Sequence, residues 1–419
     1  MPRLLVCCLL SLTVLLSAPG TAHADAIRDG QWMLDALDLE TAHTLSTGEG
    51  VTIGLVDTGV NPDHPDLVGN VDAGMATWDD GQDGLIDVHG HGTAMASLAV
   101  GHGNGEDNDK GVLGAAPGAR ILSAGIMDAA NLEEAEAGGS WFGDAEVAPA
   151  VRWLADNGAD IILMSISGDF GPTVAEAVRY AAVDKDVLVV ACSGNIDPHG
   201  ERVRAPANYD EALAVAGTDS TGGAWDGATI GPTVDLAAPA ANVVVADYQG
   251  GYVDYYGTSN SAAIVAGVAA LLLSLWPDMS REDLTWRLTR TAVDAGEPGR
   301  DDAFGHGVID PVAALTKVIE PPTDRPDADV NPAPIGHLKA NPSSLTTITT
   351  LVVGGGAMLA VVWTVFIGFT LNRRRTRTAV ASPVVSTGPP PFQQTPHSPP
   401  FPRERPPSDS NLSGPRHWP

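Results

Sequence analysis

The segment GTSNSAAIVAG, residues 257–267, decides how the rest of the chain is interpreted. A glycine is followed by three hydroxyl residues within four positions, and then by the apolar run AAIVAGVAALLLSLW, residues 262–276. In one interpretation Thr258 or Ser259 only caps a buried helix. In the other, one of these hydroxyls is a nucleophile. The segment alone favours the first interpretation, so the choice depends on the remaining sequence.

Composition limits the classes of function. The chain has 419 residues, a formal net charge of −29 and 44% hydrophobic residues. That apolar content is ordinary for a globular protein with a sizeable core. Nucleic-acid binding requires a basic face, so the strong negative charge predicts that nucleic acid is not a partner. Such acidity suits a soluble secreted or surface domain.

The N-terminus has the pattern of a secretory signal peptide. Arg3 precedes the apolar run 4–16, and Ala22-His23-Ala24 is a small-x-small cleavage site. We therefore predict a signal peptide at 1–24. Both Cys7 and Cys8 lie inside it, so Cys192 is the one thiol left in the mature chain and no internal disulfide can form.

The C-terminal part predicts a membrane anchor. Residues 318–345 form a Pro-rich linker, and the uncharged segment 346–371 exceeds the ~20 apolar residues that span a bilayer. Four arginines follow between positions 373 and 377. By the positive-inside rule the tail, 372–419, is cytoplasmic and the large domain extracytoplasmic. The tail is rich in Pro and Ser and predicts disorder.

Between these signals, the large domain at 51–317 alternates strand-like and helix-like segments. Apolar strand patterns occur at 51–56, 120–126, 161–165 and 187–192. Helix-like segments occur at 92–100, 145–157 and 173–185. This alternation predicts an α/β fold, a parallel sheet with helices on both faces.

Two further segments place chemical groups at element junctions. The stretch VTIGLVDTGVNPDHPDL, 51–67, ends a strand at Asp57, and VHGHGTAMASLAVG, 88–101, places His91 between glycines at the start of a helix. Asp57 alone can cap a turn, and a lone histidine is more often structural. An acid, an imidazole and a hydroxyl at such junctions are, however, the components of a nucleophilic triad.

The order Asp, His, Ser is that of the subtilisin-type triad. Residues 31–317, with VDTG, HGT and GTS, resemble the subtilisin-like (subtilase) serine proteases. The resemblance implies a serine endopeptidase that acts on protein or peptide substrates without a cofactor. Ser259, which follows Gly-Thr, is the implied nucleophile rather than Ser261. His91, which precedes Gly-Thr, is the implied base rather than His89, and Asp57 orients it.

The same resemblance implies further site residues. Asn195, in DVLVVACSGNIDP at 186–198, matches the family's oxyanion asparagine, although Gly-Asn pairs are also common in turns. The segment ADIILMSISG, 159–168, resembles the strand that binds an extended substrate by strand addition. The implied substrate-binding residues are Ser165, Ile166, Ser167 and Gly168.

Calcium is the one ion that the resemblance suggests. Asp66 and the loop GNGEDNDKG, 103–111, resemble the place where many subtilases bind Ca²⁺, and oxygen-rich loops suit that ion. A solvated polar loop explains the same residues and is the interpretation we favour, so no metal ligand is predicted. The sequence also departs from the family at Ser167, where glycine is common, and at Asn260.

The domain order resembles one group within the family. The extension at 25–50 is too short to fold as an independent inhibitor domain, so its apolar residues predict a strap on the protease body. A short extension, protease, linker, membrane helix and tail resemble the mycosins, membrane-anchored subtilases of type VII secretion in actinobacteria. This implies secretion-system membrane components as partners, although the mycosins' disulfides are absent. The alternatives are a general membrane-tethered protease, and a catalytically silent subtilase-fold scaffold in a membrane complex.

Overall fold

The computed structural model describes residues 26–331, except 79–81, 131, 133–141, 197–201, 327 and 329. The predicted signal peptide, the membrane helix at 346–371 and the tail at 372–419 lie outside the described residues.

Seven strands form one parallel sheet in the order β2-β5-β1-β6-β7-β8-β9. Two antiparallel hairpins, β3-β4 and β10-β11, lie outside it. This confirms the predicted parallel sheet. The strands are β1 Thr52–Asp57, β2 Val71–Ala76, β3 His102–Asn104, β4 Lys110–Leu113, β5 Arg120–Gly125, β6 Ile161–Met164, β7 Leu188–Cys192, β8 Ala212–Thr218, β9 Leu236–Pro239, β10 Val243–Ala246 and β11 Tyr252–Tyr255.

Helices cover both faces of the sheet, as predicted. Successive strand residues point to opposite faces, so Leu55 joins the apolar cluster beneath α4 and α7, while Val56 joins the cluster beneath α5 and α6. The helices are α1 Ala26–Gly30, α2 Trp32–Ala36, α3 Leu39–Leu45, α4 His91–Val100, α5 Asp144–Asp156, α6 Pro172–Arg179, α7 Thr258–Leu275, α8 Arg281–Thr291 and α9 Pro311–Thr316.

Helix α7 is the central buried helix, and its N-terminus corrects one expectation. The residue that precedes the helix is Gly257, which has no side chain that could cap it. Thr258 and Ser259 already lie in the first turn, so the capping interpretation of these hydroxyls is wrong. Within the described residues α7 is the one helix that is long and apolar enough to cross a membrane, but 89% of it is buried in the domain. It is therefore a core helix.

The N-terminal extension packs on the protease body, as the strap interpretation predicts. Met33 and Leu39 are fully buried in the cluster that contains α7. The Gln31 side chain donates to the carbonyl of Leu113 and accepts from its N–H, at 3.0 and 2.8 Å. The indole of Trp32 donates to the Ala241 carbonyl at 3.1 Å. The extension is thus held by both apolar burial and hydrogen bonds to the body.

The first part of the predicted linker lies against α8. Arg287 is fully buried, and its guanidinium donates to the backbone carbonyls of Ala314, Lys317 and Val330. Burial lowers the pKa of Arg287 to about 10. These bonds attach the chain as far as residue 330 to the domain.

Loss of a buried side chain from the strap should destabilise the whole protein. Leu39→Ala removes a fully buried side chain, and such a cavity costs about 2–5 kcal/mol of unfolding free energy. Denaturant unfolding of the full-length protein, followed by tryptophan fluorescence, measures the loss. The exposed neighbour gives the control, because Glu40→Ala should change the unfolding free energy by less than about 0.5 kcal/mol. Equal stability of the Leu39 variant and wild type would show that the strap does not contribute to the core.

Candidate active site

The site lies at the carboxyl end of the central strands. Strand β1 lies between β5 and β6, and it ends at Asp57, which is 1% exposed. The chain leaves β1 toward one edge of the sheet and later returns to its other side at β6. A crevice forms where the strand order reverses in this way, which makes this end of β1 the natural site for ligands.

His91 is the first residue of α4, and its side chain is hydrogen-bonded to that of Asp57. The Nδ1 atom of His91 lies 2.8 Å from Oδ1 and 2.9 Å from Oδ2 of Asp57. A carboxylate only accepts hydrogen bonds, so Nδ1 carries the proton. The other ring nitrogen, Nε2, then has the lone pair that a general base requires.

Two carboxylates affect the basicity of His91. Burial lowers the pKa of His91, but the charge and hydrogen bond of Asp57, together with the charge of Asp87, outweigh that effect and leave the pKa above its usual value. The imidazolium that forms when His91 accepts a proton is thereby stabilised.

Ser259 faces the same crevice from the first turn of α7. Its Oγ donates to the backbone carbonyl of Ser165 at 3.0 Å, so its proton is directed at that carbonyl. Hydrogen bonds of a reactive group often reach their working geometry only when substrate is bound. Ser261, in contrast, donates to the carbonyls of Ala238 and Pro239 inside the protein. The two serines therefore differ in orientation.

The side chain of Asn195 is hydrogen-bonded to Thr258, the residue before Ser259. The side-chain oxygen of Asn195 accepts from the N–H of Thr258 at 3.0 Å and from its hydroxyl at 3.1 Å. This fixes the carboxamide and leaves its NH₂ group as the donor. The N–H of Ser259 belongs to the first helical turn, where such groups have no intrahelical acceptor. The Asn195 NH₂ group and the Ser259 N–H are thus both donors of the kind that a negatively charged oxygen requires.

These side chains line one cleft of about 160 Å³. Its lining contains all four predicted residues of the reaction site and three of the four predicted substrate-binding residues. Gly168 lies further along, where its N–H donates to the carbonyl of Ala205 at 2.9 Å. The complete lining is Asp57, Thr58, His89, His91, Phe142, Ser165, Ile166, Ser167, Cys192, Gly194, Asn195 and Ser259.

Several residues around this site were not predicted from the sequence. Asp87 accepts hydrogen bonds from the turn that carries His91, Thr258 fixes Asn195, and the Cys192 thiol contacts Thr258 and Ser259. Asp87 had a usable signal, since an aspartate just before a helix start often accepts from its free N–H groups. Thr258 and Cys192 gave none, because their contacts join segments far apart in sequence.

In the region suggested for calcium, the carboxylate of Asp66 is hydrogen-bonded to protein donors. The carboxylate of Asp66 is fully buried, and it accepts from the N–H of Val112 at 2.7 Å, from the Asn104 amide, and from the Tyr252 hydroxyl at 3.4 Å. In the part of the chain that the structure describes, no three His, Cys, Asp or Glu side chains are arranged to hold a metal ion. Protein donors thus account for the charge of Asp66.

Comparison with known proteins identifies the family. Residues 48–307 match the model of the subtilase family, peptidase S8. The chain belongs to the subtilase family. It is accordingly a subtilisin-like serine endopeptidase. It is 33% identical to Mycosin-1 of Mycobacterium tuberculosis over 356 residues, 74% of this chain and 78% of that protein. It is also 35% identical to the halolysin-like extracellular serine protease Nep of Natrialba magadii, over 64% of this chain and 48% of that protein.

Solved structures agree. The MycP3 protease from the type VII (ESX-3) secretion system superposes with a TM-score of 0.60 at 32% identity, over 72% of this chain and 90% of that chain. The periplasmic assembly from the ESX-5 inner membrane complex gives a TM-score of 0.60 at 27% identity, over 77% of this chain and 92% of that chain. The fold is that of the subtilisin-like proteases, and mycosins are among its relatives.

The buried thiol of Cys192 should be unreactive. Burial raises the pKa of Cys192 to about 11, so at pH 8 only about a thousandth of it is the nucleophilic thiolate. Iodoacetamide should therefore leave the Cys192 peptide unmodified in the native protein, as read by mass spectrometry. The same reagent in concentrated guanidinium should modify it fully. Equal rates in the two conditions would contradict the burial of this thiol.

Proposed function

We propose that the chain is a membrane-anchored, extracytoplasmic serine endopeptidase of the mycosin type, in which Asp57, His91, Ser259 and Asn195 carry out peptide hydrolysis. The observation that supports this most directly is the pairing of a buried Asp57 with His91 in a cleft that also contains Ser259 and Asn195. These four residues come from four separate elements, and their shared cleft is the arrangement that acyl transfer requires.

The proposed mechanism assigns one role to each residue. Ser259 Oγ turns from the Ser165 carbonyl, attacks the peptide carbonyl, and gives its proton to Nε2 of His91. Asp57 keeps Nδ1 of His91 protonated and stabilises the imidazolium. The tetrahedral oxyanion is bound by the amide of Asn195 and the N–H of Ser259. His91 then returns its proton to the leaving amine, and water hydrolyses the acyl-enzyme.

The substrate in this proposal is an extended polypeptide. Ser165, Ile166 and Ser167 continue the line of β6 past its last sheet pairing and lie along the cleft. A peptide can add beside such a segment as a strand, so that its backbone provides affinity and its side chains provide specificity. The N–H of Gly168 is already bonded to Ala205, so we place the substrate at 165–167.

Location and partners form the second part of the proposal. The apolar segment 346–371, followed by arginines, supports a single membrane span with the protease outside and the tail inside. Similarity to a mycosin and to a periplasmic assembly of an ESX inner membrane complex supports membrane components of a type VII secretion system as partners. The competing function is a catalytically silent scaffold in such a complex. The directed hydrogen bond of His91 favours the enzyme, since a scaffold does not require that tautomer.

Labelling with a fluorophosphonate probe tests the nucleophile. Ser259→Ala should abolish labelling of the full-length protein. The probe reacts with an activated hydroxyl, and in the proposed mechanism His91 accepts a proton from Ser259 alone. Ser261→Ala is the matched control and should retain labelling, because its hydroxyl is bonded inside the domain. Labelling that persists in the Ser259 variant would exclude Ser259 as the nucleophile. An unlabelled wild type that still assembles with its membrane partners would favour the scaffold.

Protease protection in intact cells tests the membrane orientation. External protease should remove the catalytic domain and spare an epitope tag placed after Pro419, because the arginines that follow residue 372 retain the tail in the cytoplasm. Permeabilised cells are the control, in which the tag should also be lost. Digestion of the tag in intact cells would reverse the proposed orientation.

A further inference from the structure

A second buried carboxylate, Asp87, lies behind His91. Asp87 is 9% exposed and accepts five hydrogen bonds. The donors are the hydroxyl of Thr58 at 2.8 Å, the N–H groups of His89 and Gly90 at 3.1 and 2.7 Å, and the N–H and hydroxyl of Thr93 at 2.9 and 2.6 Å. A carboxylate with so many partners fixes the groups that surround it.

These bonds connect the two halves of the Asp57–His91 pair. Thr58 follows Asp57 directly, and its hydroxyl donates to Asp87 while it accepts from the N–H of Gly92 at 3.0 Å. Asp87 also accepts from the N–H of Gly90. Both backbone neighbours of His91 are thereby tied to the residue that follows Asp57. The end of β1 and the start of α4 are consequently held as one unit.

Asp87 also contributes charge to the environment of His91. The groups that face the imidazole are Asp57 from β1, Asp87 and His89 from the preceding turn, and Tyr255 from β11, whose ring lies 6.0 Å away. Burial, followed by the charges of Asp57, Asp87 and Asp247, raises the pKa of Tyr255 to about 12, so this tyrosine is neutral at the pH of activity. Among the residues that the structure describes, Asp57 and Asp87 are thus the negative charges that act on His91.

We propose that Asp87 is a positioning residue for the reaction, which holds His91 against Asp57 through Thr58, Gly90 and Gly92 and supplies the second negative charge behind the imidazole. This inference rests on the proposed function, in which His91 is the base. Asp87 lies behind the turn rather than in the cleft lining, so it acts through His91 and does not contact the substrate. A carboxylate that only stabilised the folded domain would leave kcat unchanged in a variant that folds.

The pH profile of kcat/KM tests the charge of Asp87, and kcat tests its positioning role. In Asp87→Asn the loss of the negative charge lowers the pKa of His91, so the acid limb of the profile should move to lower pH. Looser positioning should reduce kcat between about tenfold and hundredfold, with KM little changed. Asp83→Asn is the matched control, because it removes one charge from an exposed side chain of the same loop. Its acid limb and kcat should equal those of wild type.

A second pair of variants separates the link from the charge. Thr58→Ala removes the hydroxyl that joins the N–H of Gly92 to Asp87 but leaves the charge of Asp87 in place. It should lower kcat without moving the acid limb, and Thr58→Ser should restore kcat. This pair decides the positioning role if Asp87→Asn does not fold. An unmoved acid limb in Asp87→Asn, or wild-type kcat in Thr58→Ala, would overturn the inference.

Failure of the proposed function gives a different result. If wild type neither cleaves peptide nor reacts with a fluorophosphonate, the proposed function fails. The effect of Asp87 can then still be measured as the pKa of the His91 imidazole. In an NMR titration, the His91 pKa should be lower in the double variant Ser259→Ala, Asp87→Asn than in Ser259→Ala alone. An unchanged titration there would overturn the inference without reference to activity.

Discussion

The hydrogen bond between Asp57 and His91 is the interaction on which the rest of the site depends. A buried carboxylate is tolerated only when donors surround it, and Asp57 has the N–H of Thr58 at 2.8 Å and Nδ1 of His91. The fold provides this position by ending the central strand β1 at Asp57 and starting α4 at His91. The glycine at residue 90 has a φ of 102°, a conformation that disfavours side chains with a Cβ, and this sharp turn directs His91 toward the strand.

Ser259, the proposed nucleophile, is positioned by a different constraint, the burial of α7. Nearly all of this helix is buried, and it packs against the sheet and α4, which fixes where its first turn emerges. Ser259 therefore needs no capping bond to hold its place. Thr258 instead donates to the Asn195 side chain and accepts from the N–H of Gly194, so one threonine positions both Asn195 and the start of the helix that carries Ser259. Movement of α7 would displace both together.

The sequence predicted much of this structure because the signals involved are local. Apolar runs identified β1 and β5–β7 within one or two residues, and bracketing glycines identified the junctions that carry Asp57, His91 and Ser259. The unpredicted features depend on contacts between distant segments. The role of Asp87 needs the adjacency of β1 and α4, that of Thr258 needs the adjacency of α7 and the turn after β7, and the attachment of residues 318–331 needs the buried Arg287. The capping interpretation of Thr258 and Ser259 failed for the same reason, since tertiary partners took over their hydroxyls.

A structure of the enzyme with a covalent peptidyl phosphonate tests the central claim most directly. The account predicts a bond between phosphorus and Ser259 Oγ, with one phosphonyl oxygen within hydrogen-bonding distance of both the Asn195 amide and the Ser259 N–H. His91 should still be bonded to Asp57, and the peptide should lie beside residues 165–167. An adduct on any other residue, or a phosphonyl oxygen directed away from Asn195, would contradict it.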